Sequence, residues 1–155
     1  MEPTVLIVDD EPDVRTLCKV NLEYEGYRVI EAADGLEALE VVKTDKPDVI
    51  LLDLMMPNLD GWEVLKRLQA DPETGKIPVL LLTAKADQES QLHGWEAGIV
   101  EYVTKPFNPV TLPRYIKKAL EQTNSDDSTR RADQIKEELK FRKELKRTEE
   151  GGNGA

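Results

Sequence analysis

The chain has 155 residues, 34% of them charged and 39% hydrophobic, and a formal net charge of −10. That length holds one domain with a core on both sides of a sheet and little more. So acidic a chain repels nucleic acid and anionic membrane surfaces, and suits a basic-faced partner or a cation.

No apolar run approaches the ~18 residues of a membrane span. The start, Met1 to Thr4, lacks the basic opening of a signal peptide and leads straight into an apolar run. A cytoplasmic protein is expected. The single cysteine, Cys18, excludes an internal disulfide and sits among apolar helical neighbours, as a core residue would.

The first apolar run, Val5–Val8, is too short for a helix and does not alternate, which suits a strand buried on both faces. A helical pattern follows from Pro12 to Tyr24, with proline in its first turn and Gly26 just past its end. Tyr27–Ile30 is a weaker strand candidate. Asp34 caps a second helix over 35–43. Val49–Leu52 is a second buried strand pattern. The turn 57–61 leads to a helix over 62–69, and Val79–Leu82 is the next strand. A helix over 86–97, a strand over 99–103 and a helix over 109–121 complete the pattern.

Strict βα alternation, five times over, predicts an α/β fold with a parallel sheet and helices on both faces. The flavodoxin-like doubly wound order 2-1-3-4-5 is the common one at this size, and its ligands bind beyond the carboxyl ends of the strands. The expected domain covers residues 1–123. Residues 124–150 form a charged linker and helical tail with eight basic and eight acidic residues, and 151–155 are expected to be disordered. All of the net charge therefore lies in the domain. The tail's apolar stripe is too thin for a long coiled coil.

Four strand ends carry chemistry: Asp9-Asp10-Glu11, Asp53, Thr83 and Lys105. Clustered carboxylates repel unless protons or a cation neutralise them. Mg²⁺ prefers oxygen ligands, few carboxylates and phosphate oxygens. Asp9, Asp10 and Asp53 can supply carboxylates, and a carbonyl just after Asp53 another ligand. A carboxylate can also be the nucleophile that forms an aspartyl phosphate. Lys105 suits a phosphoryl oxygen as a point charge, and Thr83 can donate its hydroxyl to another. Taken singly, each has a plainer reading: the acidic run as a cap for the first helix, Lys105 as a surface charge. Their joint placement at one sheet edge favours the site.

Val8-Asp9-Asp10-Glu11, the run 51–57 with Asp60-Gly61, Leu82-Thr83-Ala84 and the run 102–107 together closely resemble the receiver domain of bacterial two-component response regulators. The spacings fit too: 43 residues from Asp10 to Asp53, 30 to Thr83 and 22 to Lys105. The resemblance spans about residues 3–123. It implies that Asp53 is the phosphoacceptor, and that Asp10, Asp53 and the Met55 carbonyl bind Mg²⁺ directly, with Asp9 acting through water. It further implies that Lys105 contacts the phosphoryl group, that the Lys105–Pro106 peptide is cis, and that Thr83 and Tyr102 relay the switch.

The implied donor is a histidine kinase or histidine phosphotransfer protein. The implied output is protein contact through the fourth helix, fifth strand and fifth helix, as a monomer or a phosphorylation-dependent dimer. Such a protein is not an enzyme beyond its own phosphoryl transfer and dephosphorylation. The expectation is a receiver without an output domain. Its alternative is a receiver fragment that regulates a larger output protein through the C-terminal helix. A phosphatase acting through aspartyl phosphate ranks third, because it usually wants an acid where Met55 stands. Met55 and Lys85 occupy positions that overhang the phosphoryl group in the family. His93 is expected at the surface, and Trp62 and Trp95 as packing residues.

Overall fold

The computed structural model describes residues 2–84, 93, 94 and 96–123. Its elements are β1 (Thr4–Val8), α1 (Pro12–Tyr24), β2 (Arg28–Ala32), α2 (Gly35–Asp45) and β3 (Val49–Asp53). There follow α3 (Gly61–Ala70), β4 (Val79–Thr83), β5 (Glu101–Thr104) and α4 (Leu112–Thr123). The last is the fifth helix of the sequence pattern. Of the helix expected over 86–97, only His93, Gly94 and Glu96 are described as helical. Ala97 lies in the turn that follows, while positions 86–92 and Trp95, with Lys85 and the whole tail from 124, lie outside the described residues.

The sheet is parallel, in the order β2-β1-β3-β4-β5. Every residue of β1, β3 and β4 is buried. This is why these strands read as unbroken apolar runs. Successive side chains still go to opposite faces. Leu6, Val8, Ile50 and Leu52 join the core under α2 and α3. Val5, Ile7, Val49 and Leu51 join the core under α1 and α4, which contribute Cys18, Leu22, Leu112 and Ile116.

Helix ends follow local chemistry. Asp34 and Asp60 cap α2 and α3 by accepting from the N–H of Glu37 and Glu63. Lys46, at φ 44°, stops α2 and donates its N–H to the Val42 carbonyl. The plain capping reading of the acidic run does not hold for Glu11, the N-cap of α1, whose side chain makes no cap bond.

Several boundaries differ from the sequence pattern, and three have a clear local cause. β2 runs on to Ala32, held in register beside Val8. β5 begins at Glu101, because the Ile99 N–H bonds the Gly94 carbonyl and ends the preceding helical segment. α4 starts three residues later than expected. Asn108 forms a turn in which its side chain accepts the Val110 N–H and its carbonyl accepts the Thr111 N–H.

Candidate functional site

The carboxyl ends of β1, β3, β4 and β5 bring their polar residues to one edge. Asp9 follows β1 and is fully buried; Asp53 ends β3 and is 2% exposed. Asp10 beside them is exposed. One carboxylate oxygen from each of the three lies within 4.8 Å of the others. Thr83, the last residue of β4, is buried. Lys105 follows β5, and its N–H is held by the Thr83 carbonyl at 2.7 Å.

The Lys105 ammonium enters the acidic cluster. Its Nζ lies 2.9 Å from Asp9 Oδ2, as an ion pair, and 3.3 Å from Asp53 Oδ2, as a hydrogen bond. The other oxygens are met by backbone: Glu11 N–H donates to Asp9 Oδ1 and Met55 N–H to Asp53 Oδ1. The Lys105–Pro106 peptide is cis.

Burial and the neighbouring Asp9 charge push the Asp53 carboxyl up to about 6, against the Met55 N–H and the Lys105 ammonium, which favour the ionised form. Burial disfavours the Lys105 ammonium, but Asp9 and Asp53 together outweigh it and hold that pKa above its usual value. One ammonium among three carboxylates leaves an excess of negative charge. The buried Asp9 Oδ2 is met by that shared ammonium and by no other group among the described residues. An all-oxygen set with this deficit fits a hard divalent cation such as Mg²⁺.

The loop after β3 approaches so closely that only glycine fits at its end. A Cβ on Gly61 would lie 2.5 Å from the Asp53 carbonyl oxygen and 2.7 Å from Leu54 Cα. Met55 is 60% exposed at the rim, while Met56 is buried in the core. Tyr102 is half-buried on β5 with its ring against Gly94, where an added Cβ would come within 2.9 Å of Tyr102 Cε2. His93 is exposed, and its ring stands edge-on to Trp62 at 4.3 Å between centroids. Trp62 packs on the core, as expected.

Sequence reasoning missed Arg15. Its guanidinium donates to the Asp9 carbonyl at 2.6 Å and pairs with Glu31 of β2 at 3.4 Å. An arginine in the first turn of a helix reads as a solvated charge, so only the fold exposes this contact.

A parallel doubly wound sheet with an acidic cluster and a lysine at its carboxyl edge defines a class, and the comparisons agree. The model of the response regulator receiver domain family matches residues 5–117. The chain belongs to that family, the phosphorylation-activated switches of two-component signalling. It is 42% identical over 125 residues to the phosphate regulon transcriptional regulatory protein PhoB of Pseudomonas aeruginosa, covering 81% of this chain and 55% of that protein. It is 44% identical over 123 residues to the alkaline phosphatase synthesis transcriptional regulatory protein PhoP of Bacillus subtilis, covering 79% and 50%. The chain thus spans about half the length of these curated relatives. Among solved structures, the chemotaxis protein CheY4 of Vibrio cholerae superposes with a TM-score of 0.74 at 34% identity, covering 77% of this chain and all of that one.

Proposed function

We propose that Asp53 is the phosphoacceptor of a signalling switch charged by a phosphohistidine on a histidine kinase or phosphotransfer protein. The observation that carries this is a nearly buried Asp53 whose carboxylate shares one ammonium, Lys105, with a second buried carboxylate, Asp9. In the transfer an Asp53 oxygen attacks phosphorus. The P–N bond to the imidazole breaks, a P–O bond forms, and the imidazole nitrogen keeps the electron pair. Lys105 then pairs with phosphoryl oxygens, and Thr83 donates its hydroxyl to another. Asp10, Asp53 and the Met55 carbonyl would hold Mg²⁺ directly, with Asp9 acting through water. When bound, the ion neutralises charge on the transferring phosphoryl group.

Phosphorylation biases a two-state element. A swing from ~1:99 to ~99:1 needs about 5.5 kcal/mol of differential stabilisation. Thr83 moving to the phosphate and the Tyr102 ring turning further inward form that element. Output is protein contact on the face of the fifth strand, α4 and the helix before them, by a monomer or a phosphorylation-dependent dimer. The domain works in the cytoplasm, where kinases present phosphohistidine, and turns over no other substrate. A boundary near residue 123 separates it from the charged tail. Among the described residues no helix is long and apolar enough to cross a membrane.

A second reading has one observation in its favour. The curated relatives are named transcriptional regulators and are about twice as long as the matched region. On that reading the same domain controls a DNA-binding output part through the segment after α4.

The test is incubation with acetyl phosphate, with and without Mg²⁺, followed by mapping of the modified residue. Asp53 should carry the label only with Mg²⁺, and Asp53→Asn should take up none. Normal labelling of that variant would sink the assignment.

A further inference from the structure

We propose that Arg15 is a positioning residue for the cation site, acting through the backbone that joins Asp9 to Asp10. The inference rests on the reading of Asp9, Asp10 and Asp53 as that site.

Asp9 is held at every polar atom. Its N–H donates to the Ala32 carbonyl at 3.2 Å, Glu11 N–H meets Oδ1, and Lys105 faces Oδ2. Its carbonyl receives the Arg15 guanidinium at 2.6 Å, a short charge-assisted bond. Asp10 differs. Its side chain is exposed, and its carboxylate accepts no hydrogen bond from the described residues. The aim of Asp10 therefore depends on the peptide before it. That peptide is planar, so a fixed Asp9 carbonyl fixes the Asp10 N–H and the place of its Cα.

Arg15 is itself anchored. Its side chain is only 16% exposed, and its Nε pairs with Glu31 on β2, which Lys19 also approaches at 3.9 Å. The carboxylate on the edge strand thus orients the arginine, the arginine orients the peptide, and the peptide aims Asp10 at Asp53. Groups that orient metal ligands from behind commonly change affinity by 10- to 100-fold when removed.

The sign of the effect separates positioning from bulk charge. Arg15 is a cation near a cation site, so as a charge alone it opposes metal binding, and its removal would tighten it. As a positioning group, its removal loosens binding.

The experiment is calorimetric Mg²⁺ titration of the full chain for wild type, Arg15→Met, Arg15→Lys and Glu31→Gln. Folding is checked by circular dichroism in EDTA. We expect Arg15→Met to weaken Mg²⁺ about ten-fold, with Arg15→Lys and Glu31→Gln between it and wild type. Labelling by acetyl phosphate at saturating Mg²⁺ should return to near the wild-type rate, since the loss lies in binding. Unchanged or tighter binding in Arg15→Met overturns the proposal, as does a labelling defect that saturating Mg²⁺ does not repair. If Arg15→Met does not fold, wild-type affinity in both milder variants overturns it equally. A wild-type chain that binds no Mg²⁺ refutes the site itself, a failure distinct from that of Arg15.

Discussion

Lys105 Nζ lies 2.9 Å from Asp9 Oδ2, on a carboxylate that is fully buried. The ammonium occupies the role that a divalent cation would fill. It holds the cluster together without metal and competes with metal for the same charge. Lys105→Met should therefore bind Mg²⁺ more tightly than wild type by titration. The same variant in EDTA should lose about 2 kcal/mol of stability, since breaking a buried pair leaves uncompensated charge. It should also label poorly with acetyl phosphate if Lys105 makes the proposed phosphoryl contact. Weaker Mg²⁺ binding would show that Lys105 supports the metal instead of opposing it.

The raised Asp53 carboxyl makes metal-free stability depend on pH. Its folded pKa of about 6 lies above the ~3.9 of an unfolded chain. The protonated group therefore contributes stability that is fully present below pH ~4 and is lost as pH rises through 6. Asp53→Asn keeps a neutral side chain throughout. In EDTA, urea denaturation should give wild type and variant similar stabilities near pH 4. The variant should gain on the order of 2 kcal/mol above pH 6.5. A difference that is flat with pH would show that Asp53 is not strained.

Gly61 is required by close approach. An alanine methyl would overlap the Asp53 carbonyl oxygen and Leu54 Cα, both backbone. Relief must come from moving the loop that positions the Asp53 carboxylate. Gly61→Ala should cost about 2 kcal/mol or more and slow labelling by acetyl phosphate even at saturating Mg²⁺. Wild-type stability and labelling would mean that the loop gives way at no cost.

Cys18 offers a check on the core beneath the site. Burial, then the Asp9 charge, push its thiol up to about 12, and its surroundings include Leu22, Leu112 and Ile116. The thiolate is the reactive form. Iodoacetamide at pH 8 should leave the native protein unmodified by mass spectrometry and alkylate it fully in 8 M urea (roughly, a fully denaturing concentration). Rapid native alkylation would show that α1 opens readily.

The central strands were legible because burial on both faces leaves an apolar run with no competing pattern, as in Val49–Leu52. The β5 boundary was not. Ile99 is buried and apolar like a strand residue, yet its N–H closes a helix end, which composition does not encode. Asp53, Thr83 and Lys105 were legible because each stands where an apolar strand stops. Arg15 was obscure because it acts on a backbone atom of a residue remote from itself, and backbone atoms have no letter in a sequence; Gly61 stood in the motif, but its close approach to the Asp53 carbonyl was hidden for the same reason.

The last prediction concerns the lifetime of the phosphorylated state. Acyl phosphate is lost when water attacks phosphorus in line, opposite the Asp53 oxygen. Met55 stands at the rim of the site, 60% exposed, with its N–H tied to Asp53 Oδ1 at 3.0 Å. The tie fixes the side chain's root beside the Asp53 carboxylate, the proposed phosphoacceptor. A thioether offers water only a weak acceptor and no donor, so it shields without orienting. An amide at this position can hold the attacking water. Met55→Asn should therefore shorten the phosphorylated lifetime several-fold at fixed Mg²⁺. A ten-fold change requires only ~1.4 kcal/mol in the barrier, within reach of one positioned water. The measurement is decay of labelled protein after removal of the donor, for wild type, Met55→Asn and Met55→Leu. Leucine keeps the bulk without the amide and should decay like wild type. Equal decay in all three would show that hydrolysis is governed from elsewhere at the rim.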